Sequence, residues 1–108
     1  MKGSFNEKVY MLLKKVPNGK VTTYKQLANA LGTRAYRAVG GAMKNNPYAP
    51  HVPCHRVVSS DGSIGGFGGM KNPKSLEVQR KIKMLRSEGV MVIKDKIKDF
   101  EKKLFKFY

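Results

Sequence analysis

The chain has 108 residues, enough for one domain (1–108) around one modest core and too few for a second catalytic domain. Its 22 Lys and Arg against 7 Asp and Glu give a formal charge of +15, and self-repulsion of that size points to a polyanionic partner. A single cysteine excludes an internal disulfide; no apolar run is long enough to cross a membrane and no signal-peptide pattern follows Met1-Lys2-Gly3, so action inside the cell is expected, in cytoplasm, nucleoid or nucleus, without a membrane.

The basic residues run along the whole chain and recur on predicted helices beside Tyr24, Tyr36 and Tyr48, which favours nucleic acid as the polyanion. A Lys-rich surface kept for solubility or thermal adaptation is usually balanced by Glu, and this one is not. An anionic membrane surface is the weaker competitor.

Ser4-Phe5-Asn6-Glu7 has capping-box spacing, and Phe5, Val9, Leu12, Leu13 and Val16 recur at helical intervals, so a first amphipathic helix is expected up to the Pro17-Asn18-Gly19 turn. Thr22 or Thr23 can cap a short second helix with Tyr24, Leu27, Ala28 and Leu31 on its apolar face and Gly32 at its end. Thr33 can cap a third from about Arg34 to Lys44, closed by Asn45-Asn46-Pro47. Helix, tight glycine turn, helix is the helix-turn-helix layout. The third helix carries Ala38, Gly40, Gly41 and Ala42, and each mid-helix glycine costs about 0.5–1 kcal/mol relative to alanine. Either the bare surface lets the backbone approach a nucleic-acid groove with Arg37 projecting from it, or the helix packs closely on a neighbour.

The proline-rich stretch from Tyr48 to Pro53 is expected to be an irregular or extended loop that delivers Cys54. In Pro53-Cys54-His55-Arg56-Val57-Val58 the only cysteine stands directly beside a histidine. The thiolate is the reactive form, so a reactive site must lower the thiol pKa or supply a base, and imidazole does this near neutral pH. Neighbours in an extended segment point to opposite sides, so His55 would reach the sulfur through a water or not at all. A buried structural cysteine is the competing reading. His51, Cys54 and His55 lie within five residues and lack a second Cys pair, a poor pattern for a closed zinc site, and no metal is expected.

Val57-Val58 then begins a strand, Ser60-Asp61-Gly62-Ser63 turns, and Ile64 begins the return strand of a small hairpin beside the thiol. Gly65-Gly66-Phe67-Gly68-Gly69 has no following Lys-Ser or Lys-Thr and no strand-to-helix frame, so it is no nucleotide-binding P-loop. It reads either as a flexible loop or as a segment whose amides approach a ligand, with Phe67 as an aromatic wall. Asn72-Pro73 opens a fourth helix that passes through Leu76, Ile82 and Leu85 to a stop at Gly89. Glu88, at its C-terminus, opposes the macrodipole and is misplaced unless a histidine or arginine holds it; otherwise it is merely solvated. Val90 to Ile93 reads as a short strand, and the basic tail from Lys94 to Tyr108, with Phe100, Leu104 and Phe107 at helical spacing, as a final short helix. The expected fold is mainly α, a winged-helix-like helix-turn-helix domain with a small β-hairpin.

Taken together, Gly19-Lys20-Val21-Thr22-Thr23-Tyr24, Ala38-Val39-Gly40-Gly41-Ala42-Met43, Asn46-Pro47, Pro53-Cys54-His55-Arg56-Val57-Val58 and Glu88-Gly89 resemble the O6-alkylguanine-DNA alkyltransferases, in the right order from about residue 4 to 93. The resemblance implies direct reversal of alkylation damage in double-stranded DNA. A helix-turn-helix enters the minor groove, O6-methylguanine leaves the stack, and its alkyl group passes irreversibly to a cysteine in a single turnover. Cys54 matches that acceptor, with His55 as its base through a water and Glu88 orienting His55. Asn46 matches the residue that braces the active-site turn, and Tyr24 the tyrosine that assists base rotation and polarises the guanine. Arg37 matches the arginine finger that fills the vacated stack, where a planar cation both stacks and hydrogen-bonds. Thr23, Ala38, Gly40 and Gly41 join Arg37 and Tyr24 on the implied DNA surface. The carbonyls of Cys54 and Val57 would accept from the guanine exocyclic amine, Phe67 would wall the base pocket, and Gly68 takes the place of a main-chain amide that approaches O6. The implied chemistry needs no cofactor, because the alkyl group arrives on the base and the acceptor is the protein, and a monomer is expected.

Three features depart from the family pattern. Phe67 stands where a tyrosine is usual, the sequence after Gly69 does not follow the commonest continuation, and the additional N-terminal domain common in the enzymes has no counterpart before residue 4. The short architecture is also that of alkyltransferase-like proteins, which bind alkylated bases without repairing them and recruit excision-repair proteins. Those usually replace the acceptor cysteine, often with tryptophan; here Cys54 is present and Trp is absent, which favours the enzyme over the damage-binding module. A plain winged-helix regulator reading the major groove would leave Pro53-Cys54-His55-Arg56 unexplained.

Overall fold

A computed structural model of the protein describes residues 4–107. Helix α1 (Phe5–Leu13) starts where Ser4 Oγ accepts from the Glu7 N–H at 3.2 Å, and it buries Val9, Tyr10 and Leu13. Val16, the last residue of the apolar period, is buried but lies beyond the helix, in a turn closed by Lys15 N–H to the Leu12 carbonyl and Val16 N–H to the Leu13 carbonyl.

Strand β1 (Thr22–Thr23) runs directly into α2 (Tyr24–Ala30), which Thr23 caps by accepting from the Gln26 N–H at 3.0 Å. Helix α3 spans Tyr36–Lys44 and starts two residues later than the sequence suggests. Thr33 is not its cap: the hydroxyl accepts from the Ala35 N–H at 3.1 Å in a local turn, and α3 begins with no side-chain cap. Helices α1, α2 and α3 pack on one another.

Strand pairing departs from the expected arrangement. Strand β2 (Val57–Val58) does not fold back onto Ile64; it lies parallel to β1, with Thr22 opposite Val57 and Thr23 opposite Val58. Ser59 to Ser63 forms a tight turn through Gly62 N–H to the Ser59 carbonyl (2.9 Å) and Ser59 N–H to the Ser63 carbonyl (3.0 Å), and the Ile64 N–H goes to Asp95. The small hairpin is instead β3 (Val92–Ile93) with β4 (Lys96–Ile97), turning at Lys94 and Asp95, which both have positive φ, 51° and 62°. Burial gives the reason. Val57, Val58 and Ile64 are all buried, as a covered core strand requires, whereas Val92 and Ile97 point inward and Ile93 and Lys96 outward, the alternation of a one-sided hairpin.

Helix α4 (Leu76–Ser87) begins later than Asn72-Pro73 suggests. Asn72 accepts from the Lys74 N–H at 2.9 Å in a turn, and Ser75 is the cap, accepting from the Val78 N–H at 3.2 Å. Gly89, at φ 84°, ends α4 in the left-handed conformation. In the tail, α5 is only Phe100–Lys103. Beyond it Leu104 and Phe105 extend alongside Val21, with Val21 N–H to the Lys103 carbonyl at 2.9 Å and Phe105 N–H to the Val21 carbonyl at 2.7 Å. Pairing with a strand satisfies these backbone groups better than a frayed last turn, so Phe107 is not on a helix; Tyr108 lies outside the described residues.

The described residues are thus mostly helical with two small sheets. One buried cluster joins α1, α2 and α3 to Val52 and Cys54; the other gathers Val58, Ile64, Val78, Leu85 and Ile97 beneath α4 and the hairpin. Phe67 packs against both. Among the described residues no helix is long and apolar enough to cross a membrane.

Candidate active site

Cys54–Arg56 form a single 3-10 turn between the proline loop and β2, so Cys54 and His55 are not alternating residues of a strand. The turn is braced from behind. Asn46 Nδ2 donates to the Val52 carbonyl at 2.8 Å, Asn46 Oδ1 accepts from the Tyr48 N–H at 2.9 Å, and the Cys54 N–H donates to the same Val52 carbonyl at 2.8 Å. Among the described residues no hydrogen bond joins Cys54 Sγ directly to His55.

Glu88 is held by both residue types that its awkward position calls for. Its carboxylate lies 2.8 Å from His55 Nε2 and takes a two-pronged bond from Arg56, Nε at 2.9 Å and Nη2 at 2.8 Å. The remaining Arg56 prong donates to the Val16 carbonyl at 2.8 Å, anchoring the group to the turn that follows α1. Burial pushes the Glu88 carboxyl up, but the hydrogen bonds from Arg56 and His55 and the adjacent charge outweigh it and hold the group below its ordinary pKa. Burial dominates at His55 and pulls its pKa down in spite of the bond to Glu88, so the imidazole is neutral at neutral pH. An ionised Glu88 accepts only, so the neutral ring carries its proton on Nε2 and leaves Nδ1 free to accept one.

A cleft of about 780 Å³ opens above Cys54, whose residue is 8% exposed at its base. One wall is the α3 stripe Arg37, Gly40, Gly41 and Lys44, at the i, i+3, i+4, i+7 spacing of one helix face. A Cβ added at Gly40 or Gly41 would meet nothing within 4 Å, which rules out close packing as the reason for these glycines and leaves a bare, open helix surface. The facing wall is a two-residue hairpin: Phe67 N–H to the Met70 carbonyl at 2.8 Å, Met70 N–H to the Phe67 carbonyl at 2.9 Å, with Gly68 and Gly69 at φ 59° and 83°. The glycine-rich segment is therefore a fixed turn, and the Gly68 N–H is not among the bonds that close it. Tyr24, at the start of α2, completes the lining beside Cys54; burial, then proximity to Cys54, raises its pKa, so the phenol keeps its proton.

Of the residues singled out in the sequence, Tyr24, Arg37, Gly40, Gly41, Cys54, Phe67 and Gly68 meet in this cleft, while Asn46, His55, Val57 and Glu88 stand behind it. Thr23 is 3% exposed and its hydroxyl caps α2, so its role here is structural. Ala38 is exposed on α3 but does not line the cleft.

One residue escapes sequence reasoning. Lys81 is fully buried, and its ammonium donates to the Ile64 carbonyl and, at 3.0 Å, to the Gly66 carbonyl, tying α4 to the base of the Phe67 hairpin. Burial pulls its pKa down to about 7, partly offset by the neighbouring Cys54. The signal was present, since Val78, Lys81, Ile82 and Leu85 form the inner stripe of α4 and a lysine interrupts an apolar face. Among the described residues no three His, Cys, Asp or Glu side chains converge.

Comparison with known proteins places the chain by family and fold. Residues 4–90 match the family described as 6-O-methylguanine DNA methyltransferase, DNA binding domain. The methylated-DNA–protein-cysteine methyltransferase of Thermococcus kodakarensis is 51% identical over 87 residues, 80% of this chain and 45% of that one. Among solved structures, S. pombe Atl1 in complex with damaged DNA containing O6-carboxymethylguanine superposes with a TM-score of 0.77 at 31% identity, covering 99% of this chain and 100% of that one. The O6-methylguanine-DNA methyltransferase of Pyrococcus kodakaraensis strain KOD1 gives 0.68 at 48% identity, over 82% and 47%. The chain spans about a quarter to a half of the length of the curated relatives it matches.

Proposed function

The chain belongs to the 6-O-methylguanine DNA methyltransferase family, and from that premise we propose that it repairs double-stranded DNA by taking the alkyl group of an extruded O6-alkylguanine onto Cys54. The observation that carries this reading is an acceptor thiol at the base of an open cleft, backed by a neutral histidine that an ionised, arginine-held carboxylate orients. Residues 1–108 act as one unit in which α2 and α3 form the helix-turn-helix of a winged-helix-like domain. The bare Gly40-Gly41 face enters the minor groove and Arg37 fills the place of the extruded base, which must leave the stack before a thiolate can reach it.

His55 Nδ1 takes the thiol proton through a water. Cys54 Sγ then attacks the alkyl carbon in line; the S–C bond forms as the C–O6 bond breaks, and the electron pair leaves with the guanine. Tyr24, kept protonated, donates a hydrogen bond that stabilises this departing charge, and the proton released by the thiol balances it. Phe67 flanks the base, Gly68 N–H faces O6, and the carbonyls of Cys54 and Val57 receive the exocyclic amine. The Cys54 carbonyl already accepts the Val57 N–H and has a second lone pair to offer. The thioether formed is stable, so each protein molecule reacts once and needs no cofactor.

A second reading is favoured by the match to the Atl1 structure along nearly the whole chain: a damage-binding module that marks alkylated bases for excision-repair proteins. Intact-protein mass spectrometry after incubation with a duplex containing O6-methylguanine, followed by peptide mapping, separates the two. One added methyl on Cys54, lost in Cys54→Ser while binding persists, is the expected result. Tight binding with unchanged mass would establish the second reading, and methylation surviving Cys54→Ser would sink the mechanism.

A further inference from the structure

The cleft wall has a charge pattern that the transfer chemistry does not use. Its lining includes Arg37, Lys44 and Lys71 and no Asp or Glu. Among the described residues none of these three side chains has a salt bridge or hydrogen bond. Arg37 and Lys44 stand two turns apart, about 10 Å along the axis, at either end of the bare glycine patch. The Lys44 stem runs over Gly69, where an added Cβ would come within 3.1 Å of Cε, so the glycine at the hairpin tip makes room for it. Lys71 follows Met70, whose two backbone bonds to Phe67 fix the direction in which the chain leaves the hairpin. Two unpaired cations from separate elements thus line the same cleft, Lys44 over Gly69 at the hairpin tip and the Lys71 stem beside Gly66 at its base, with Lys44 at the opposite end of the α3 stripe from Arg37.

We propose that Lys44 and Lys71 form an anion subsite at the mouth of the cleft that holds a backbone phosphate beside the extruded nucleotide. This rests on the function proposed above and adds a positioning step to it. Arg37 occupies the gap in the stack, and the lysine pair pins the sugar-phosphate chain at the other end of the glycine patch, which keeps the base turned toward Cys54. Contacts of this kind carry no sequence information, so damage is read by the pocket and the strand is held wherever the lesion lies.

The test is the salt dependence of binding to a duplex carrying O6-methylguanine, followed by fluorescence anisotropy for the wild-type protein, Lys44→Gln, Lys71→Gln and the double variant, with circular dichroism to confirm folding. Losing one phosphate contact should reduce the slope of log K against log salt by about 0.9 in the double variant. A neutral methylphosphonate beside the lesion should bring the wild-type slope to that of the double variant and leave the double variant unchanged. An unchanged slope in the double variant overturns the subsite, as does a methylphosphonate effect of equal size in both proteins. If the lysine variants instead lose affinity only for a lesion bearing a carboxylate on its O6 substituent, the pair reads the adduct and the phosphate assignment is wrong. A wild-type protein that neither prefers the damaged duplex nor gains mass would defeat the proposed function and the subsite with it. Preference retained with an unchanged slope defeats the subsite alone.

Discussion

At Glu88 the site hangs on one carboxylate that serves two partners, His55 and Arg56. Glu88→Gln replaces an acceptor by a group that can donate to Nε2, which moves the imidazole proton to Nδ1 and removes the base from the thiol side. Methyl transfer should fall on the order of 10²-fold with DNA binding retained. Because the bond to Glu88 and its charge are what raise the His55 pKa against burial, the acid limb of the rate profile should also move to lower pH in this variant. In the wild type that limb should lie below the ordinary imidazole value of 6.5. Rates of Cys54 alkylation measured across pH check both; a slower variant with an unmoved limb would reduce Glu88 to a structural brace. Glu88 was legible in the sequence because a carboxylate at a helix C-terminus asks for a partner. Lys81 left a fainter signal, a lysine interrupting the apolar stripe of α4, and one cation inside a basic helix does not stand out until that stripe is drawn.

Helices and turns could be read from local pattern; the cap at Ser4 stands where the sequence puts it, and of the two threonines the sequence offers for α2, Thr23 is the cap. Strand pairing could not, since β1 and β2 are two residues each and meet across a separation of 35 positions, beyond the reach of any periodicity. The competition among polar residues for N–H groups also shifted boundaries: Thr33 and Asn72 each close a local turn, and the helix starts after it. Within α3 the two glycines weaken the element they belong to. Gly41→Ala should raise stability by about 0.5–1 kcal/mol, because the space is open and the helix gains a better former. It should weaken binding to duplex DNA, because the methyl stands on the face meant for the groove. Denaturant melts and anisotropy titrations of one variant give both numbers, and a gain in stability with unchanged affinity would take the groove away from this face.

Across the whole molecule, a buried lysine ties stability to pH. Lys81 has a pKa of about 7 when folded against 10.5 for the free side chain, so between those values the unfolded chain holds a proton that the folded one has shed. Stability should therefore rise with pH across that window, by about 1 kcal/mol per unit, and denaturant midpoints should show it. Lys81→Met should flatten the dependence; a slope that survives the substitution assigns it to other groups. Beyond pH, the pairing of Leu104 and Phe105 with Val21 bears on how the protein is made. Helices α1 to α3 can pack while synthesis continues, since their contacts lie within the first 44 residues. The strand layer that carries Thr22 and Val57 lacks its third member until residues 104 and 105 have left the ribosome, because Thr22 Oγ1 donates to the Phe105 carbonyl from 83 positions away. A chain halted before that point would own its thiol and its DNA-facing helix, yet the floor that aligns them would still be missing.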